Sequence, residues 1–118
     1  MPIVFLSSRY SRREEMREIR DRIHTLGHKV QSRWIDAGVM EPVVAAIMDK
    51  QDAEQSDIVI SFTGGGRHGG RHVEFGIGIA LGKLSAVVGE REHVFHHLPG
   101  VYHFTTIEEL FQWMAQLC

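Results

Sequence analysis

Apolar positions along this chain follow two alternating patterns. Residues 2–6 (Pro-Ile-Val-Phe-Leu) form an unbroken apolar run that closes on Ser7 and Ser8. Such a run suits a strand buried on both faces. Met16, Ile19, Ile23 and Leu26 then recur at helical spacing, with Arg12, Arg13, Glu14, Glu15, Arg17 and Asp21 on the opposite side. Ser11 and Glu14 predict a capping box at the start of this helix, and Gly27 its stop. Residues 28–34 read as a second, poorly alternating strand, and residues 36–40 as a loop. Pro42 stands at a first helical position. Val43, Val44, Ile47 and Met48 predict the apolar face of a helix reaching about Gln55.

Residues 57–62 (Asp-Ile-Val-Ile-Ser-Phe) are the clearest strand, and a glycine-rich loop, Gly64-Gly65-Gly66-Arg67-His68-Gly69-Gly70, follows Thr63. Residues 72–81 predict a helix closed by Gly82, and residues 84–88 another buried strand. After a loop over 89–101 come a short strand, 102–104, and a helix opened by a Thr106/Glu109 capping box, with Ile107, Leu110, Phe111, Met114 and Leu117 inward. Strands alternating with helices imply a parallel sheet covered on both sides. Right-handed crossovers predict a flavodoxin-like (Rossmann-like) α/β three-layer sandwich, its parallel five-stranded sheet ordered 2-1-3-4-5.

Composition narrows the functional classes. The 118 residues suit one domain over 1–118, and 43 % hydrophobic with 24 % charged residues is ordinary for a chain with a core. A net charge of −2 supplies no basic field for a nucleic-acid backbone. The single cysteine, Cys118, permits neither an internal disulfide nor a cysteine metal site, and suits a reducing compartment. The apolar run at 2–6 is too short for a signal peptide or a spanning helix, so a cytoplasmic protein with no membrane partner is expected. So small a domain has little wall of its own, so a homodimer or larger homo-oligomer with shared sites is expected.

Open parallel sheets bind ligands beyond the carboxyl ends of their strands, where strand order reverses. Here that point lies between strands one and three. The two loops concerned are Ser7-Ser8-Arg9-Tyr10-Ser11 and residues 63–71, where the polar and glycine residues concentrate. Gly66 and Gly70 would let backbone approach a ligand, and Arg9, Arg67 and Arg71 could grip a phosphate. The loop is nevertheless neither a Walker A loop nor a dinucleotide fingerprint, and a plain flexible loop is the competing reading. Glu74 follows in a helix otherwise made of Phe75, Gly76, Ile77, Gly78, Ile79 and Ala80. An acid at a helix start can be decoration for the dipole. One acid on a nearly all-buried helix facing the switch point is also a candidate nucleophile or base. Asp49 stands either toward solvent beside Lys50 or toward the site. Trp34 could stack on a base or pack in the core. Of the eight histidines, His68 and His72 are read as substrate contacts and His93, His96 and His97 as a surface or subunit contact. No HExxH pattern supports a metal, and neither metal nor cofactor is expected.

The segment from Asp49 to Ile60, the glycine loop, and Val73-Glu74-Phe75-Gly76 through Gly82-Lys83 together resemble the nucleoside 2-deoxyribosyltransferase superfamily, which includes 2′-deoxynucleoside 5′-phosphate N-hydrolases. The resemblance extends over about residues 3–88. It implies cleavage of the N-glycosidic bond of a nucleoside or its 5′-monophosphate, with Glu74 attacking the anomeric carbon. Asp49 would orient substrate or protonate the leaving base, Tyr10 would lie near the nucleophile, and His68 would meet a 5′-phosphate. A carboxylate nucleophile gives a glycosyl-enzyme, which water or a second base resolves. The partner would then be a small nucleoside or nucleotide. Two alternatives stand beside this: a non-catalytic nucleotide sensor of the same fold, and a phosphoribohydrolase of the cytokinin-activating type. The latter's Gly-Gly-x-Gly-Thr-x-x-Glu is absent, since Arg71-His72-Val73 precede Glu74.

Overall fold

The computed structural model describes residues 2–64 and 69–117. Five strands, β1 (Ile3–Ser7), β2 (Lys29–Val30), β3 (Ile58–Phe62), β4 (Leu84–Val88) and β5 (Tyr102–Phe104), form one sheet in the order β2-β1-β3-β4-β5. Every pairing is parallel. Helices α1 (Arg13–Thr25) and α4 (Ile107–Ala115) are joined by the Arg22–Glu108 ion pair, and α2 (Pro42–Gln55) packs on α3 (Gly69–Ala80). The sheet lies between these two pairs, as right-handed crossovers in this strand order require. β1, β3 and β4 supply the centre of the core: Val4, Phe5, Leu6, Ile58, Val59, Ile60, Phe62, Ala86 and Val87 are all inaccessible to solvent. The Thr106/Glu109 capping box is present in both halves, with Thr106 accepting from Glu109 N and the Glu109 carboxylate from Thr106 N.

Four local expectations are corrected. The Ser11 capping box does not form. A 3-10 turn, Tyr10–Arg12, precedes α1, and Arg12 occupies the N-cap without a side-chain bond. β2 is two residues long rather than seven, because side chains take over the ladder where the chain peels away. Leu6 N donates to Ser32 Oγ at 2.8 Å, and Trp34 Nε1 donates to Leu6 O at 2.8 Å. Trp34 then sits in a 3-10 turn, Arg33–Ile35, with its indole buried.

α3 starts at Gly69, three residues before the expected position, so Glu74 lies in its second turn. Arg71 anchors that early start from below, donating to Phe62 O at the end of β3. Finally, α2 is rotated. Val43, Val44 and Ile47 are 62 %, 47 % and 54 % exposed, whereas Asp52 and Ala53 are fully buried. Apolar residues run all round this helix, so the pattern carried no direction. The burial of Asp52 among Gln31 Nε2, Arg33 N and Arg33 Nε decides the rotation.

Candidate active site

A pocket of about 310 Å3 opens beyond the carboxyl ends of β1 and β3, where strand order reverses. Ser8 and Tyr10 reach it from the loop after β1, Trp34 from the turn after β2, Ala45, Met48 and Asp49 from α2, and Gly70 and Glu74 from α3. Residues 37–40 complete the wall. Two carboxylates thus share a largely apolar cleft. The helical spacing of Ala45, Met48 and Asp49 puts them on one side of α2, and Gly70 and Glu74 stand one turn apart on α3.

Glu74 is held from beneath by Ser7, the last residue of β1, whose hydroxyl donates to Oε1 at 2.5 Å. Burial pushes the Glu74 carboxyl up to about 7, with the Ser7 hydrogen bond working against that rise and the charge of Asp49 adding to it. Asp49 is pushed up to about 6, first by burial and then by neighbouring Asp52, with Arg33 opposing. Glu74 lies in the second turn of α3, and the neighbouring Arg71 and His72 side chains turn to Phe62 O, Glu92 and His93 rather than to its carboxylate. Asp49 Oδ1 and Ser8 Oγ are buried in the pocket lining with no hydrogen-bond partner among the described residues. Tyr10 OH donates to Ala37 O at 3.1 Å, fastening the outer wall to the first loop, and Arg13 stacks over the Tyr10 ring.

Of the residues read from the sequence, Ser8, Tyr10, Trp34, Asp49, Gly70 and Glu74 therefore converge on one cleft, with Ser7 directly behind. Arg9 belongs to the same loop but is not among the lining residues. Gly66, Arg67 and His68 lie outside the described residues. Arg71 is corrected: it is 1 % exposed and bound to Phe62 O and to Glu92 at 2.6 Å, so it braces the fold rather than offering a free guanidinium. His72 is corrected as well. It faces away from Glu74, against His93 and His96. The wall residues Met40 and Met48 were missed: Met48 at helical spacing reads as core, and Met40 as part of a loop. Arg12 was missed too; it donates to Phe62 O and Thr63 O at the mouth of β3.

Ring nitrogens of His72, His93 and His96 lie within 4.8 Å of one another, a spacing that could admit a divalent cation. The backbone argues for a different use. Phe95 N donates to His93 Nδ1, and Glu92 N to His96 Nδ1. In a neutral ring this leaves the proton on Nε2, where a metal would need a lone pair. His93 Nε2 accordingly donates to His72 Nδ1 at 3.1 Å. Burial, reinforced by His93 and His72, holds His96 down at about 4, so it stays neutral across the physiological range. The result is a chain of imidazoles that fastens loop 92–97 to α3. His96 thus packs inward on α3 with His93 half-buried beside it, while His97 of the same loop is exposed.

No protein-family model matches the chain, and no curated protein matches it by sequence. Solved structures do. The CMP N-glycosidase BcmB of Clostridium botulinum superposes with a TM-score of 0.69 at 22 % identity, over 95 % of this chain and 97 % of that one. A 2-deoxyribosyltransferase from Bacillus psychrosaccharolyticus gives 0.69 at 16 % identity, over 92 % and 90 %. The 2-deoxyribosyltransferase of Leishmania mexicana gives 0.76 at 11 % identity, over 99 % of each chain. The chain therefore has the flavodoxin-like fold that these proteins share.

Proposed function

We propose that this chain belongs with the nucleoside 2-deoxyribosyltransferases and cleaves the N-glycosidic bond of a nucleoside or nucleoside 5′-monophosphate, with Glu74 as nucleophile. The observation that carries the reading is the placement of two carboxylates, Glu74 and Asp49, across one apolar cleft at the sheet's switch point. Ionised Glu74 attacks the anomeric carbon through a carboxylate oxygen. The carbon–nitrogen bond breaks and its electron pair passes to the base, which takes a proton from the Asp49 carboxylic acid. Water then attacks the same carbon, gives its proton to Asp49, and frees the sugar and Glu74. A second base in place of water gives transfer.

The apolar walls, Val39, Met40 and Met48 beside Trp34, suit a flat base. The unpaired Ser8 hydroxyl and the helix start at Gly70 suit the sugar and its phosphate. Arg9, Arg67 and His68 would add to the phosphate contact. An ordered substrate would also give Asp49 Oδ1 the hydrogen bond it lacks. The exposed apolar stripe Val43, Val44 and Ile47 on α2, continuous in character with Val39 (97 % exposed) at the pocket wall, favours a homodimer that closes the cleft. No helix among the described residues is long and apolar enough to cross a membrane, and a cytoplasmic location is proposed. The deciding experiment incubates the protein with each nucleoside and each 5′-monophosphate, ribo and 2′-deoxy, with and without a second base, and follows free base by chromatography. Base release from at least one substrate is expected. No release from any of them would favour a sensor. Preference for monophosphates would support the phosphate contacts, and indifference would remove them.

A further inference from the structure

We infer that Ser7 is a positioning residue for Glu74, fixing which carboxylate oxygen is free to react and holding that carboxylate in its charged form. The inference rests on the proposed role of Glu74. Ser7 is fully buried and is the last paired residue of β1, in register with Ser61 of β3. Its Cα is thus set by the β1–β3 pairing at the centre of the sheet. A serine hydroxyl has one hydrogen to give, and here it goes to Glu74 Oε1. Among the described residues no bond ties Oε2, which leaves that oxygen for the substrate. The strand-borne hydroxyl and the helix-borne carboxylate come from positions 67 residues apart in the chain. The contact is therefore a product of the β1–α3 packing and is invisible to any local pattern.

The electrostatics of the cleft make such a donor matter. The titratable groups that share the Glu74 pocket are the Asp49 carboxyl from α2 and Tyr10 from the first loop, whose hydroxyl is given to Ala37 O, while the nearest guanidinium on the Glu74 helix, Arg71, is spent on Glu92. Ser7 is thus the one described group that hydrogen-bonds the Glu74 carboxylate. A donated hydrogen bond is stronger to an ionised acceptor than to a neutral one, so it favours the state that can attack. Burial and Asp49 oppose it.

The test titrates the Glu74 side-chain carboxyl carbon by NMR in the 13C-labelled full chain, for wild type, Ser7→Ala, Ser7→Thr and Ser61→Ala. Ser7→Ala should raise the midpoint by about one unit, and Ser7→Thr, which keeps the hydroxyl, should return it toward wild type. Ser61→Ala removes a neighbouring buried hydroxyl without a bond to Glu74, and should leave it unmoved. With an active substrate, the acid limb of the pH–rate profile of Ser7→Ala should move to higher pH by the same amount. An unchanged Glu74 midpoint in a folded Ser7→Ala protein would overturn the inference. So would an equal shift in Ser61→Ala, which would mark a merely structural effect. Because the titration needs no substrate, a wild type that releases no base would sink the proposed function without touching this result.

Discussion

At the residue scale, the two carboxylates set the pH behaviour of the proposed reaction. Glu74 must be ionised, a state gained as pH climbs through about 7. Asp49 must carry its proton, a state lost as pH climbs through about 6, so activity should rise up to about pH 6 and fall above about pH 7. The productive state is then a minority species with a narrow optimum between the two, and the two midpoints belong to the coupled pair rather than to either residue. A kcat/KM profile checks this, and a plateau extending above pH 9 would contradict it. Asp49→Asn removes the like charge that raises Glu74, so its acid limb should move to lower pH even as the maximal rate drops.

The same burial has a stability consequence. The folded midpoint of Glu74 lies above its ordinary value of 4.5, so the folded protein is the better proton acceptor. Both forms are protonated at pH 4, where Glu74→Gln should be neutral. At pH 8 the wild type must hold a disfavoured charge, and Glu74→Gln should be more stable by roughly 1–3 kcal/mol in urea unfolding. Glu74 was legible in the sequence because one acid interrupts a run of small and apolar residues. Asp49 could not be oriented, because Asp49 and Asp52 look alike beside Lys50 until Arg33 is seen to claim Asp52. Arg71 read as a phosphate ligand because nothing local shows that Glu92 lies within reach across 21 residues.

At the element scale, α3 carries the proposed nucleophile and its distance from the sheet is set by glycine. A Cβ at Gly78 would meet Val59 Cβ and Cγ2 at 3.0 Å and Ser85 Oγ at 3.2 Å, so the helix lies against β3 and β4 as closely as a backbone can. Gly78→Ala should lift α3, cost about 1–3 kcal/mol in thermal or urea unfolding, and lower activity by displacing Glu74 from Ser7. Gly76 has nothing within 4 Å of its would-be Cβ, so Gly76→Ala should be stabilising by about 0.5–1 kcal/mol. Equal costs at the two positions would refute the close-packing account. Strands β1, β3 and β4 were legible because each is an apolar run buried on both faces. β2 was not, since Ser32 and Trp34 satisfy Leu6 through side chains and no periodicity records that. The facing of α2 was hidden for a related reason: its apolar residues exceed what the core can take, and the surplus stays exposed.

At the scale of the whole molecule, strand order and the switch-point cleft followed from alternation and crossover handedness alone, because those rules act on elements rather than on individual contacts. The surplus apolar face of α2 is one feature that a lone copy leaves unexplained. Sedimentation at micromolar concentration should give a dimer or larger. Val44→Glu and Ile47→Glu should shift it to monomer and reduce base release, whereas a wild-type monomer that is fully active would remove the shared-site idea. The central claim is narrower than assembly: the bond to the base is broken by attack from Glu74. The most direct measurement compares base release by wild type and by Glu74→Gln on the same active substrate, with the fold of both verified by circular dichroism. Loss by a factor of about 10^3 or more in a folded Glu74→Gln protein is the predicted result, and release at the wild-type rate would contradict the account.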